Sequence, residues 1–206
     1  ECIHRKTGQR IRAIMPMHTF GHPVELDELV VVCQRWHLRL IEDAAESLGS
    51  YYKSQHTGTI GDYGAISFNG NKIITTGGGG IVLCKSLGDG EHTKYVTTTA
   101  KVPHPYEFYH DEPGFNYRLP NLNAALGCAQ MEVLPKFLKQ KRQLAMQYQE
   151  FFNSSELQFV EEPEYAQSNF WLNAVICPDI ASRNLLLKVT NEAGVMTRPG
   201  TLCRVA

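Results

Sequence analysis

The stretch from Arg12 to Asp43 constrains the fold more than any other part of this sequence. Arg12 to His18 (RAIMPMH) reads as a strand. Glu25 to Trp36 sets Leu26, Leu29, Val30 and Cys33 at helical spacing, which predicts an amphipathic helix. Leu38 to Ile41 is a short apolar run that ends at Glu42-Asp43. Strand, helix and strand in this order form a parallel crossover unit, whose sheet must be covered by helices on its faces. Two further short strands are expected at Ala65 to Phe68 and Gly80 to Cys84. The class is therefore α/β, and ligand-binding residues are expected in loops at strand ends.

The character changes near Pro120. Asn121 to Leu134 and Lys136 to Phe152 are helical in composition, and a break is expected near Pro135, a residue suited to the first turn of a second helix. An apolar strand is expected over Phe170 to Ile176, then a helix over Ser182 to Glu192 ended by Gly194. The expected division is a large α/β part over residues 1–134 and the beginning of a small α+β domain over 135–206, including the linking helix.

With 43% hydrophobic residues in 206, the chain has enough apolar material for a core. Lys and Arg number 20 against 21 Asp and Glu, so a net charge of −1 gives no reason to expect nucleic acid or an anionic membrane as partner. No stretch is apolar enough to span a bilayer, and Glu1 to Lys6 is not followed by the apolar stretch of a signal peptide. The cysteines Cys2, Cys33, Cys84, Cys128, Cys177 and Cys203 are scattered, with no two at the short spacing of a zinc site. Free thiols in a reducing cytoplasm are the expectation, with no metal. His18 and His22 flank Phe20-Gly21 at a ligand-like spacing, but without a third ligand a structural or supporting role is expected of them. Tyr106, Phe108, Tyr109 and Phe115 could line a binding site or simply pack.

Two residues carry the chemistry. Asp43 follows a buried strand, where it could meet a ligand or cap a helix, and the small Ala44-Ala45 after it would let a flat group approach. Lys72 lies in Ser67-Phe68-Asn69-Gly70-Asn71-Lys72, ahead of Ile73-Ile74-Thr75-Thr76 and Gly77 to Gly80. A lone lysine is ordinarily a solvated surface residue, but a desolvated one forms a Schiff base with a carbonyl cofactor. The glycine run read by itself is a flexible turn and lacks the spacing of a P-loop. An amine and an acid together are what pyridoxal phosphate requires, one for its aldehyde and one for its ring nitrogen. Ser67 adds a hydroxyl for the phosphate.

Ile41 to Gly49 (IEDAAESLG), Gly61-Asp62-Tyr63-Gly64, Ser67 through Gly77, Gly114 to Asn121 (GFNYRLPN), Leu122 to Gly127 (LNAALG) and Met196-Thr197-Arg198-Pro199 follow in order along nearly the whole chain. As a set they resemble the DegT-type sugar-nucleotide aminotransferases. The resemblance implies a type I pyridoxal-phosphate-dependent transferase fold: part of a large domain with a mostly parallel sheet, helices on both faces, and the start of a small α+β domain. It implies transfer of an amino group, commonly from L-glutamate, to a nucleotide-linked keto-sugar in amino-sugar and surface-glycan precursor synthesis, by a homodimer. By position, Lys72 would hold the cofactor covalently, Asp43 would pair with its ring nitrogen and Ser67 would bind its phosphate. Asn116 would reach the phosphate in the neighbouring subunit's site. Glu46 stands where many members have Gln near the ring hydroxyl.

The form Phe68 to Lys72, with an all-glycine run after it, is similar to the branch that aminates C4 of UDP-linked N-acetyl-6-deoxy-4-keto sugars. Many members carry an acid within that run, where this chain has Gly78. Family members extend further at both ends, so the pocket is expected to be incomplete on this chain, with little cofactor binding by the chain alone. A catalytically incomplete fragment that keeps fold and dimerisation is the alternative. A dehydratase of the same family would carry histidine in place of Lys72, and a desulfurase would need a mobile catalytic cysteine.

Overall fold

In the computed structural model, which describes residues 2–200, the strand–helix–strand unit is present as β1 (Ala13–Ile14), α1 (Leu26–Trp36) and β2 (Arg39–Asp43). β1 is shorter than expected, but pairing resumes after Pro16 with a bridge from Met17 to Asp43. α1 buries Leu26 and Cys33, with Leu29 and Val30 against the same cluster, as their spacing requires. That cluster also holds Leu38, Leu40 and Tyr52. The helix stops at His37, whose left-handed backbone (φ 54°, ψ 47°) lets its N–H close on the carbonyls of Cys33 and Gln34.

β2 leads to a hairpin, β3 (Tyr51–Tyr52) and β4 (Gln55–His56), then to β5 (Tyr63–Ser67) and β6 (Gly80–Cys84). The main sheet has the order β1-β2-β5-β6. β1, β2 and β5 are parallel, and β6 runs antiparallel to β5 across five register pairs. Gly77 (φ 80°) and Gly79 (φ 102°) supply the left-handed backbone that turns the chain back into β6, so the glycine run makes a turn here. α2 (Leu87–Thr97) follows, with Ser86 accepting the Asp89 N–H as its cap.

Gly64 sits where β5 crosses the loop after the hairpin, and a Cβ there would lie 2.0 Å from the Gly58 carbonyl oxygen. Neither partner is a flexible side chain, so Gly64→Ala must separate two backbones. We expect it to lower stability by roughly 2–3 kcal/mol, read as a fall in the urea midpoint. An unchanged midpoint would show that the loop gives way freely.

The long helix departs from the sequence expectation. α3 (Asn121–Phe152) is continuous, with Pro135 inside it. The proline removes one intrahelical hydrogen bond, to the Met131 carbonyl, at a cost of about 3 kcal/mol. Contacts on both sides of it hold the helix together: Leu134 and Ala145 are buried, and Arg142 grips Glu162 with two hydrogen bonds of 2.7 Å. The apolar run Phe170 to Ile176 is likewise not one strand. Only Val175–Ile176 pairs, while Phe170 (φ 47°) and Trp171 are buried in a turn whose amides are satisfied by Ser168 and Asn169 side chains. Apolarity there signals burial without ladder pairing.

The first of two compact units gathers Glu1–Ala145 and Glu162–Leu172. Its returning segment adds β8 (Ala166–Gln167) antiparallel to β3. The second unit comprises Met146–Glu161 and the residues from Asn173 on. In it β7 (Gln158–Phe159) pairs antiparallel with β9 (Val175–Ile176). α4 (Ile180–Glu192) begins on an Asp179 cap and ends before Gly194 (φ 78°). Among the described residues, no helix is long and apolar enough to cross a membrane, and Cys2, Cys33, Cys84, Cys128 and Cys177 are free thiols. Cys203 lies outside the described residues.

Candidate functional site

Asp43 ends β2 and pairs in register with Ala65, and Ser67 ends the parallel neighbour β5. Both therefore stand at the carboxyl edge of the same pair of strands, where α/β sheets place ligands. Asp43 caps no helix. Its Oδ1 accepts the Ala45 N–H at 3.1 Å in a local turn, and the chain then bends toward β3. The Ser67 hydroxyl accepts the Asn69 N–H at 3.2 Å.

The loops leaving β2 and β5 meet through Glu46 and Lys72. The Lys72 ammonium is 3.9 Å from Glu46 Oε1, and the two side chains are only 14% and 18% exposed. Glu46 is fixed from the other side by the Phe20 N–H, 2.7 Å from Oε2. Lys72 also lies over the indole of Trp171, with Nζ 4.0 Å from the ring centroid. A cavity of about 420 Å³ opens beside it, bounded by Asn71, Lys72, Phe137, Lys141, Leu144 and Trp171. A larger, more apolar hollow of about 1030 Å³ lies against β6 and α2 and touches none of Lys72, Asp43 or Ser67.

Directly behind Asp43, Glu42 is fully buried with His18. One Glu42 oxygen accepts the Ile60 and Gly61 N–H groups, both at 2.7 Å. The other accepts Gly58 N–H at 2.7 Å and the His18 Nε2–H at 3.0 Å. His18 Nδ1 accepts the Val24 N–H at 3.2 Å, so the proton sits on Nε2 and the ring is neutral. Burial alone would raise the Glu42 pKa, but His18 and the three amides outweigh it and hold the carboxyl below the usual range.

His18 and His22 do not act as a pair. His22 packs edge-on against Phe170, and its enclosed ring nitrogens have no hydrogen-bond partner among the described residues. Burial lowers its pKa, with Glu162 opposing.

The structure thus brings Lys72 to Glu46, and Asp43 and Ser67 to one sheet edge. Asn116 is exposed, in a bridge with Thr98, and makes no contact shown with these four. Tyr106, Phe108, Tyr109 and Phe115 are also exposed. Sequence reasoning missed two contributors. Glu42 could have been found from strand alternation: next to an outward-ending Asp43 it points to the opposite face, where a carboxylate must be paired. Trp171 lies 99 positions from Lys72, and no local pattern signals their contact. A carboxylate and a hydroxyl at one sheet edge, with an amine on the loop that leaves it, match in kind the three groups that pyridoxal phosphate presents: ring nitrogen, phosphate and aldehyde.

Known proteins agree with this architecture. Residues 1–200 match the model of the DegT/DnrJ/EryC1/StrS aminotransferase family. EpsN of Bacillus subtilis, named as a pyridoxal phosphate-dependent aminotransferase, is 34% identical over 198 residues, covering 95% of this chain and 50% of its own length. GDP-perosamine synthase of Escherichia coli O157:H7 is 33% identical over 197 residues, covering 96% of this chain and 54% of its own. The chain spans about half the length of the curated relatives it matches. Among solved structures, Helicobacter pylori PseC, an aminotransferase of pseudoaminic acid biosynthesis, superposes with a TM-score of 0.85 at 22% identity, covering 92% of this chain and 52% of PseC. The fold is that of the type I pyridoxal-phosphate transferases, part of a mixed α/β domain with a mostly parallel sheet. The chain belongs to the DegT/DnrJ/EryC1/StrS aminotransferase family.

Proposed function

We propose that this chain carries the amine- and proton-handling residues of a pyridoxal-phosphate-dependent sugar aminotransferase. The observation that supports this most is the Lys72 amine, mostly withdrawn from solvent beside Glu46, on the loop that leaves the sheet edge bearing Asp43 and Ser67. Pyridoxal phosphate, when bound, supplies an aldehyde and an electron-accepting ring. Lys72 would hold the aldehyde and, once released, carry a proton between substrate carbon and cofactor carbon. Asp43 would keep the ring nitrogen protonated, Ser67 would donate to the phosphate and Glu46 would lie near the ring hydroxyl.

The finer reading is transfer from L-glutamate to C4 of a nucleotide-linked keto-sugar, for amino sugars of surface glycans, in the cytoplasm. It is supported by the Phe68-to-Lys72 motif and by relatives whose names carry a GDP-linked sugar. In this reading residues 1–134 belong to the cofactor-binding domain and 135–206 begin the small one. Asn116, which is exposed, would serve the second site of a symmetric homodimer.

Borohydride reduction of a longer or reconstituted form that binds pyridoxal phosphate, followed by peptide mapping, tests the assignment. The label is expected on Lys72. A label on Lys53 or Lys85 instead would reject it.

A further inference from the structure

Trp171 is built as a fixed platform, and its position relative to Lys72 is determined from three sides. The residues before it are clamped. Buried Asn169 donates from Nδ2 to the Glu46 and Leu48 carbonyls, both at 2.9 Å, and accepts the Trp171 N–H on Oδ1 at 2.8 Å. The Trp171 carbonyl accepts Lys141 Nζ at 2.8 Å. Its indole Nε1–H donates to the carbonyl of Asn71, the residue just before Lys72, at 2.7 Å. The indole thus ties down the lysine's backbone at its edge and receives the ammonium on its face, 4.0 Å from the centroid. Glu46, itself joined to Asn169, stands 3.9 Å from the same ammonium. Trp171 is 5% exposed, so this face is shielded from water, which strengthens a cation's attraction to it.

We propose that Trp171 is a positioning residue for Lys72, and that its indole face with Glu46 forms the resting place of the lysine ammonium while it is detached from the cofactor. This rests on the aminotransferase reading. In that reaction an amino substrate displaces Lys72. Nζ would then be released as a free amine, carrying the proton that the substrate nitrogen gives up. The freed amine then takes a proton from the substrate carbon and must hold it, as an ammonium, until delivery. A flexible four-carbon chain carrying a charge would otherwise sample many positions. An aromatic face and a carboxylate stabilise the charged form without accepting its proton permanently, and the tie to Asn71 keeps the lysine's root in place.

The test begins without cofactor. Lysines are dimethylated with ¹³C-formaldehyde under reducing conditions, and the Lys72 signal is assigned by its loss in Lys72→Arg. Ring current from Trp171 is expected to shift this signal upfield of the other lysines. Trp171→Leu should return it to their position, and Trp171→Phe should keep part of the displacement. A Lys72 signal among the others in the unaltered protein overturns the proposal, whatever the variants do. In a longer or reconstituted form that binds cofactor and substrates, Trp171→Leu should lower kcat about tenfold with KM kept, the size expected for a shielded cation–aromatic contact, and Trp171→Phe should recover most of it. Unchanged kcat in the leucine variant, or equal losses in both, overturns the positioning role. A displaced Lys72 signal with no borohydride label on Lys72 would instead count against the cofactor assignment.

Discussion

Asp43→Asn is expected to reduce amino transfer about a thousand-fold or more while leaving the fold intact. The structure explains both halves of this expectation. The Asp43 side chain accepts the Ala45 N–H on Oδ1 at 3.1 Å, and an asparagine carbonyl accepts that bond equally well. The backbone bonds to Pro16 and His18 do not involve the side chain. The substitution therefore removes a negative charge and little else. If that charge keeps the cofactor's ring nitrogen protonated, its loss weakens electron withdrawal in the transition state without much effect on ground-state binding. The fall should then appear in kcat more than in KM. Steady-state kinetics with and without the substitution in a longer or reconstituted form that binds cofactor, with thermal melts as a control, decides this. Near-normal turnover in Asp43→Asn would reduce Asp43 to a turn former.

Glu42, one residue earlier, should show the opposite pattern. Glu42→Gln is expected to cost roughly 1–3 kcal/mol of stability, the penalty of an enclosed donor left without its acceptor. Each carboxylate oxygen receives two donors, so whichever way the amide is oriented, its NH₂ faces at least one backbone N–H. One or more enclosed donors are left without an acceptor. The pH dependence has a definite sign. The folded pKa of Glu42 lies below its unfolded value of about 4.3. Its contribution is therefore fully present above that value and is lost as pH falls through the lower folded pKa. Urea titrations at neutral pH should show a large drop for Glu42→Gln, and the difference from the unaltered protein should shrink on acidification. A small drop at neutral pH, or one that is constant down to strongly acid conditions, would mean that this carboxylate is not the pin it resembles.

These two neighbouring acids show how much was legible beforehand. Asp43 was identified because a strand-ending acid followed by two alanines is a local pattern. Glu42 was passed over, although strand alternation alone sends its side chain to the face opposite Asp43. α1 could be read to within a residue because its apolar positions repeat with the helical period. β2 and β6 were recognisable from short apolar runs between turn residues. Pro135 misled because proline's local cost is fixed, whereas the packing of Leu134 and the Arg142–Glu162 pair that offset it are tertiary. Phe170 to Ile176 misled because a buried turn and a buried strand have the same hydrophobic composition.

By itself the sequence determined the class of fold, the order of the main strands and helices, and the family motifs that single out Lys72, Asp43, Glu46, Ser67 and Asn116. The class and the elements depend on spacing within a window of a few residues, where backbone geometry converts position directly into direction, whereas the site residues were singled out by the resemblance of motifs ordered along nearly the whole chain. Only the tertiary structure decided that Asp43 and Ser67 share a sheet edge, that Glu46 meets Lys72 across a 26-residue separation, and that residues 162–172 return to the first unit to lay Trp171 under the lysine. Such contacts form because buried groups must find partners and apolar surface must leave water. Those requirements are met by whatever part of the chain the fold brings near, however distant in sequence.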